Sequence, residues 1–213
     1  MKNYEVLFID LDETLYPKNN GLWQSISDRI NQFMVDQLQI SMNDAQKLRK
    51  HYLDTYGTTL NGLLTHHDID PLDYLDYVHD IPLEEMVQHE PELRVILKQL
   101  TARKFIFTNA SNRHADRVLR HLDILDLFDG VIDIQSLGFV NKPRKEAYRK
   151  ALLLSGNPDP KKCMFIDDRV VNLVPAKEMG ITTVLVGGPI QDPAVDYVID
   201  SLNDLLRKVP GLN

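Results

Sequence analysis

Cysteine is almost missing from this chain: Cys163 is the only one in 213 residues. A lone thiol excludes an intramolecular disulfide and a thiolate metal site. Its place at the start of the apolar run CMFID suits a small buried hydrophobe better than a nucleophile. No apolar run approaches the roughly 20 residues of a membrane-spanning helix. In the N-terminal MKNYEVLFIDLDE the apolar stretch is too short for a signal peptide and ends in acid. A cytoplasmic location without membrane contact is therefore expected. Positive charge is scarce too: 24 Lys and Arg against 31 Asp and Glu give a formal net charge of −7. That argues against a nucleic-acid polymer as partner but leaves room for a small anion held by local cations. The 7 histidines show neither H-x-x-x-H nor Cys/His spacing, so a transition-metal site is not expected. There is no internal repeat, heptad run or low-complexity tract.

What is present is a series of short apolar runs alternating with helical patterns. EVLFID (5–10), KFIFTN (104–109), VIDIQ (131–135), MFID (164–167) and TTVLVG (182–187) read as strands, and DYVID (196–200) can add a last one. All but the edge-like VIDIQ are nearly continuous, the pattern of parallel strands covered on both faces. Helix patterns at 112–122, 143–155 and 170–179 lie between the later strands, and another at 202–208 follows, with Ser201 as its cap. The fold class expected is α/β, a Rossmann-like doubly wound parallel sheet. Between the first strand and the rest lies a stretch without strands, carrying helix patterns at 22–39, 43–56, 59–66, 71–79 and 83–89. The expected division is a core of residues 1–16 and 91–213 and an inserted α-helical domain of residues 17–90. Trp23 and the tyrosines 52, 56, 74 and 77 fall at helical intervals and read as the core of that insertion.

The chemistry-bearing residues lie at the carboxyl ends of the strands, where open parallel sheets bind ligands. They are Asp10 and Asp12, Thr108 and Asn109, Lys142, and Asp167 with Asp168. Converging carboxylates repel, and one would hold a proton unless a cation intervened. An all-oxygen site suits Mg²⁺, and Lys142 adds a fixed positive charge. Such a set can carry out phosphoryl transfer. One aspartate attacks phosphorus, and a second, two residues on, protonates the leaving alkoxide and then deprotonates water. Thr108, Asn109 and nearby backbone N–H groups can hold phosphate oxygens. Asn172 is placed to orient an acid or the lysine. Thr58, Thr59 and Asn61 in the insertion are candidates to read the leaving group.

FIDLDETLY resembles motif I of the haloacid dehalogenase-like hydrolase superfamily. FIFTNAS, NKPRKEAY and MFIDDRVVN are similar to its motifs II, III and IV, in the family's order and spacing. The resemblance implies that Asp10 is the nucleophile and Asp12 the general acid/base. It also implies that Asp10, the Asp12 backbone carbonyl and the acids Asp167 and Asp168 hold Mg²⁺, with Asp167 the favoured direct ligand. The helical insertion sits in sequence where the family's C1 cap does. LDETLYP and YGTTLNGLL (56–64) are similar to the pyrimidine 5′-nucleotidase branch, which implies UMP- and CMP-like substrates.

The rival readings are a sugar-phosphate phosphatase or phosphomutase, and a receiver-type phospho-acceptor module. A receiver, however, carries its acid pair after the first strand and its phosphorylated Asp after the third. A dehalogenase needs no leaving-group acid such as Asp12. Oligomeric state is not legible in the sequence.

Overall fold

A computed structural model describes residues 4–188 and 191–212. Residues 1–3, which begin the N-terminal stretch read above, and residues 189–190 and 213 lie outside them. The chain divides into two compact units, Asn19–Val87 and Met1–Lys18 with Gln88–Asn213.

The unit Asn19–Val87 is built from α1 (Leu22–Leu38), α2 (Met42–Tyr56), α3 (Thr59–His66), α4 (Pro71–Val78) and α5 (Leu83–Met86). Helices α2, α3 and α4 start where an N-cap side chain satisfies an orphan N–H group of the first turn. The Ser41 hydroxyl accepts from Asp44 N–H at 3.2 Å and donates to the Asp44 carboxylate at 2.7 Å. Thr58 Oγ1 accepts from Asn61 N–H at 3.2 Å, and Asp70 accepts from Leu72 N–H at 2.7 Å just ahead of Pro71. A Cβ at Gly62 would lie 2.1 Å from Cγ of Tyr52, so only glycine lets α3 press this closely on α2. Tyr52 and Tyr74 are buried as core, and Phe33 meets Tyr74 edge-on at 5.0 Å. Trp23 departs from the reading: it is 43% exposed, because the buried stripe of α1 runs through Leu22, Ile26, Ile30 and Phe33 and leaves position 23 off that face.

The other unit holds a six-stranded sheet in the order β3-β2-β1-β4-β5-β6. The strands are β1 (Val6–Ile9), β2 (Arg103–Phe107), β3 (Gly130–Ile132), β4 (Cys163–Asp167), β5 (Thr182–Val186) and β6 (Tyr197–Ile199). Every pairing is parallel. Chain order reverses at β1, which lies between β2 and β4, the arrangement of a doubly wound sheet. The helices of this unit are α6 (Pro91–Gln99), α7 (Asn112–His121), α8 (Lys145–Leu154), α9 (Val170–Glu178) and α10 (Leu205–Lys208). Alternate strand residues Val6, Phe8, Phe105, Phe107, Cys163 and Phe165 join Ala147, Tyr148 and Ala151 of α8 and Leu173 and Ala176 of α9 in one core cluster. Leu7, Ile9, Ile106, Met164 and Ile166, which point the other way, are also buried, which is why the strands read as continuous apolar runs. Among the described residues, no helix is long and apolar enough to cross a membrane.

Three local readings are corrected. Helix α6 had no counterpart in the periodicity, although Pro91 opens it and Leu93 and Leu97 are buried one turn apart. Helix α8 begins at Lys145, not at 143, because the chain first turns, with Arg144 N–H donating to the Asn141 carbonyl at 3.0 Å. Ser201 makes no side-chain cap: the segment opens as a 3₁₀ turn in which the Ser201 carbonyl accepts from Asp204 N–H at 3.0 Å.

Cys163 is fully buried, and burial, followed by the neighbouring Glu5 and Asp159 charges, pushes its thiol up to about 12. Iodoacetamide is therefore expected to leave the native protein unmodified and its activity intact, while the urea-unfolded chain is alkylated. Mass spectrometry of the two samples checks this.

Candidate active site

The sheet register brings the distant acids together. Ile9 is level with Ile106 on one side and Ile166 on the other. The next residue, Asp10, extends the β1–β4 pairing, its N–H donating to the Ile166 carbonyl at 2.9 Å. One step further along the register, Asp10 falls between Phe107 and Asp167. Past it the chain turns sharply: Leu15 N–H donates to the Leu11 carbonyl at 3.0 Å, and Glu13 takes a left-handed φ of 63°. This turn returns Thr14 and Tyr16 toward the acids four residues before them. Thr14 Oγ1 donates to Asp10 Oδ2 at 3.3 Å, and the Tyr16 hydroxyl donates to Asp12 Oδ1 at 2.5 Å.

Lys142 is the centre of the arrangement. Its Nζ donates to Asp10 Oδ1 at 2.7 Å, Asp167 Oδ2 at 2.9 Å and the Phe107 carbonyl at 2.7 Å. It also lies 5.1 Å from the ring centroids of both Phe107 and Phe165. Burial alone would lower its pKa, but the charges of Asp10 and then Asp167 outweigh that and raise it, so the amine is held as an ammonium. Asn109 fixes the lysine's main chain from both sides: its Oδ1 accepts from Lys142 N–H at 2.8 Å and its Nδ2 donates to the Lys142 carbonyl at 3.1 Å. Asn141 Nδ2 reaches the same carbonyl at 2.7 Å.

Asp167 accepts at both oxygens. Oδ1 takes Arg169 N–H at 2.9 Å and Asn172 Nδ2 at 3.0 Å, and Oδ2 takes Lys142 Nζ at 2.9 Å and Asn172 Nδ2 at 3.1 Å. Asp168 pairs with Lys18 Nζ at 2.8 Å. One oxygen from each of Asp10, Asp167 and Asp168 lies within 4.8 Å of the others. Burial, and then the Asp167 and Asp168 charges, hold the Asp10 carboxyl well above its usual range despite Lys142. Asp168 is raised by burial and by Asp167, with Lys18 opposing. Three carboxylates thus face two ammonium groups. One divalent cation would reverse the sign of the site, and an oxygen-only donor set of this kind fits Mg²⁺.

Asp12 stands apart from that cluster. Its Oδ1 meets Tyr16 and also Nε2 of His114, at 2.8 Å. Thr108 is buried beside the site, where its Oγ1 accepts from Ala110 N–H at 3.0 Å. The structure therefore gathers Asp10, Lys142, Asp167, Asp168 and Asn172, and it gives Asn109 to the lysine's backbone. In the helical unit, Thr58 is engaged in capping α3, while Thr59 and Asn61 are buried. Thr14, Tyr16, Lys18 and His114 were not singled out from sequence. The i to i+4 spacing of Asp10–Thr14 and Asp12–Tyr16 was a signal that could have found two of them. His114 arrives from 102 residues away with none.

A doubly wound parallel sheet with acids at the tips of β1 and β4 and a lysine between them defines a Rossmann-like α/β core. The chain belongs to the haloacid dehalogenase-like hydrolase family, whose model matches residues 4–180. Phosphate metabolism protein 8 of Saccharomyces cerevisiae is 30% identical over 195 residues, a match that covers 85% of this chain and 61% of that protein. This chain thus spans less than two thirds of that relative's length. Among solved structures, CbbY from Rhodobacter sphaeroides in complex with phosphate has a TM-score of 0.69 at 17% identity, covering 98% of this chain and 99% of that one. A HAD phosphatase from Thermococcus onnurineus has a TM-score of 0.66 at 20% identity, covering 97% of each chain. L-2-haloacid dehalogenase from Xanthobacter autotrophicus has a TM-score of 0.61 at 17% identity, covering 96% of this chain and 97% of that one. At these identities the structures speak to the fold alone, and they span more than one reaction.

Proposed function

We propose that the protein is an Mg²⁺-dependent phosphomonoesterase acting through an aspartyl-phosphate on Asp10. The observation that carries this reading is Lys142, whose ammonium bonds Asp10 and Asp167 together inside a cluster of three acids. A lysine so placed favours the ionised Asp10 carboxylate against the burial that opposes it, aims it, and screens it from an approaching phosphate dianion. The phosphate bound to the similarly folded CbbY and the name of the yeast relative support the same substrate class.

In the first step an Asp10 oxygen bonds to phosphorus as the ester P–O bond breaks. The released electron pair stays on the ester oxygen, which takes the proton of the Asp12 carboxyl and leaves as an alcohol. In the second, the Asp12 carboxylate takes a proton from water as the water oxygen bonds to phosphorus. The P–O bond to Asp10 then breaks, giving inorganic phosphate and a free carboxylate. Thr108 and backbone N–H groups at the turn between β2 and α7 hold phosphate oxygens, with Asn109 acting on Lys142.

Asp10, the Asp12 backbone carbonyl and Asp168 would hold Mg²⁺ directly. The contacts to Asp167 occupy the lone-pair positions a carboxylate offers, so we place it behind Asp168, the reverse of the order expected from sequence. When bound, the ion neutralises charge shared between the Asp10 carboxylate and the phosphoryl oxygens. EDTA is expected to abolish p-nitrophenyl phosphate hydrolysis and Mg²⁺ to restore it; activity that survives chelation removes the metal from the reading.

The helical unit Asn19–Val87 takes the part of a C1 cap that selects the leaving group, with Thr58, Thr59 and Asn61 in or beside α3 as its candidate determinants. We assign pyrimidine nucleoside monophosphates as the substrates. In a panel of UMP, CMP, AMP and sugar phosphates, the first two should give the highest kcat/KM. Faster release from sugar phosphates would favour the sugar-phosphatase alternative, and isomerisation without net phosphate release a mutase.

A further inference from the structure

We propose that His114 is a positioning residue for the proton transfer made by Asp12. This inference rests on the assignment of Asp12 as general acid/base. The site described so far accounts for Asp10, Lys142, Asp167 and Asp168, yet a buried imidazole on the first turn of α7 also reaches into it. Ser111 caps that helix by accepting from His114 N–H at 3.3 Å, which fixes the ring's backbone at the helix start. The His114 side chain is fully buried, and its Nε2 lies 2.8 Å from Asp12 Oδ1. The Tyr16 hydroxyl donates to that same oxygen. A carboxylate oxygen can accept both bonds, and the ring tautomer that carries its proton on Nε2 makes the pair compatible.

Two donors on Oδ1 fix the plane of the Asp12 carboxyl, one coming from the turn after β1 and one from α7. His114 neither touches substrate nor exchanges the proton; it holds the group that does.

Leaving-group dependence separates this role from simple structural support. Expulsion of p-nitrophenolate, a stable anion, needs little proton donation, whereas phenolate needs more. The kcat/KM values for p-nitrophenyl phosphate and phenyl phosphate are measured for the wild type, Asp12→Asn, His114→Gln and His114→Met. The Gln variant keeps an N–H donor, and the Met variant has similar volume without one. The Met variant is expected to lose roughly 10- to 100-fold on phenyl phosphate and less than about 3-fold on p-nitrophenyl phosphate, with Gln recovering most of the loss. If the Met variant does not fold, His114→Asn, too short to reach Asp12, takes its place. Equal losses on both esters, or no loss while Asp12→Asn does discriminate between them, would overturn the role of His114. Failure of Asp12→Asn itself to discriminate would overturn the acid/base assignment and this inference with it.

Discussion

In an Asp10→Asn protein, phosphate release from p-nitrophenyl phosphate is expected to fall by roughly four orders of magnitude or more, the scale seen when a nucleophile is removed. The amide is nearly isosteric with the carboxylate: its oxygen can still accept from Lys142 and its Nδ2 can donate to the Thr14 hydroxyl, so the local contacts are kept while the attacking oxygen loses its charge. The loss should fall on kcat. Acid quenching of the wild type during turnover should trap an acyl-phosphate that hydroxylamine releases, and the variant should yield none. The Asp10 carboxyl is already held well above its usual range by burial and by its acidic neighbours, so removing its charge relieves repulsion as it weakens one ion pair. The Asp10→Asn protein should accordingly melt within a few degrees of the parent in EDTA, which separates loss of chemistry from loss of fold. Substantial turnover by a folded variant would end the covalent mechanism.

Replacing Lys142 with Met should damage both properties at once. Nζ is buried between Asp10 and Asp167 and against two phenylalanine rings. Methionine fills much of that space but leaves two carboxylates facing each other in a site that burial has already made hostile to charge. Breaking a buried ion pair from one side costs about 3–5 kcal/mol. For a chain of this size that corresponds to a fall in Tm of roughly 6–20 °C by differential scanning calorimetry. Arginine should not substitute, because its planar fork cannot take the place of an ammonium that directs bonds to two carboxylates and a carbonyl. Mg²⁺ should recover part of the lost stability, since it restores positive charge among the acids, but not the activity, since the nucleophile stays unscreened. A Lys142→Met protein that melts with the wild type would show that the lysine does not neutralise the cluster.

The parts of this site that were legible in sequence share one property: each ends a strand. Asp10, Thr108 and Asp167 follow apolar runs whose continuity betrayed burial on both faces, and a parallel sheet brings such ends together whatever their separation along the chain. Lys142 needed its company to stand out, since nine residues separate it from Ile132 at the end of β3. Of the side chains that enter from a helix turn, Asn172 was legible from its place just after Asp167 and Asp168, and His114 was hidden. His114 looked like any other histidine, because its significance lies in the direction of α7 and not in its neighbours. Asn109 was legible as a site residue, but its work on the Lys142 backbone depends on a loop path that no local pattern encodes. Helix α6 was missed because Val95, Ile96 and Leu97 run together and blur the helical period, although Pro91 marks its start.

The order of the strands has one further consequence. All the acids that gather around Lys142 project from the innermost pair, β1 and β4, while β3 and β6 form the margins. Strand β6 and the short helix after it supply none of these side chains. Exposed positions there can change without disturbing the chemistry, whereas Ile199, Leu202 and Leu205 stay buried, much as the rim of a wheel can be resurfaced around an unaltered hub.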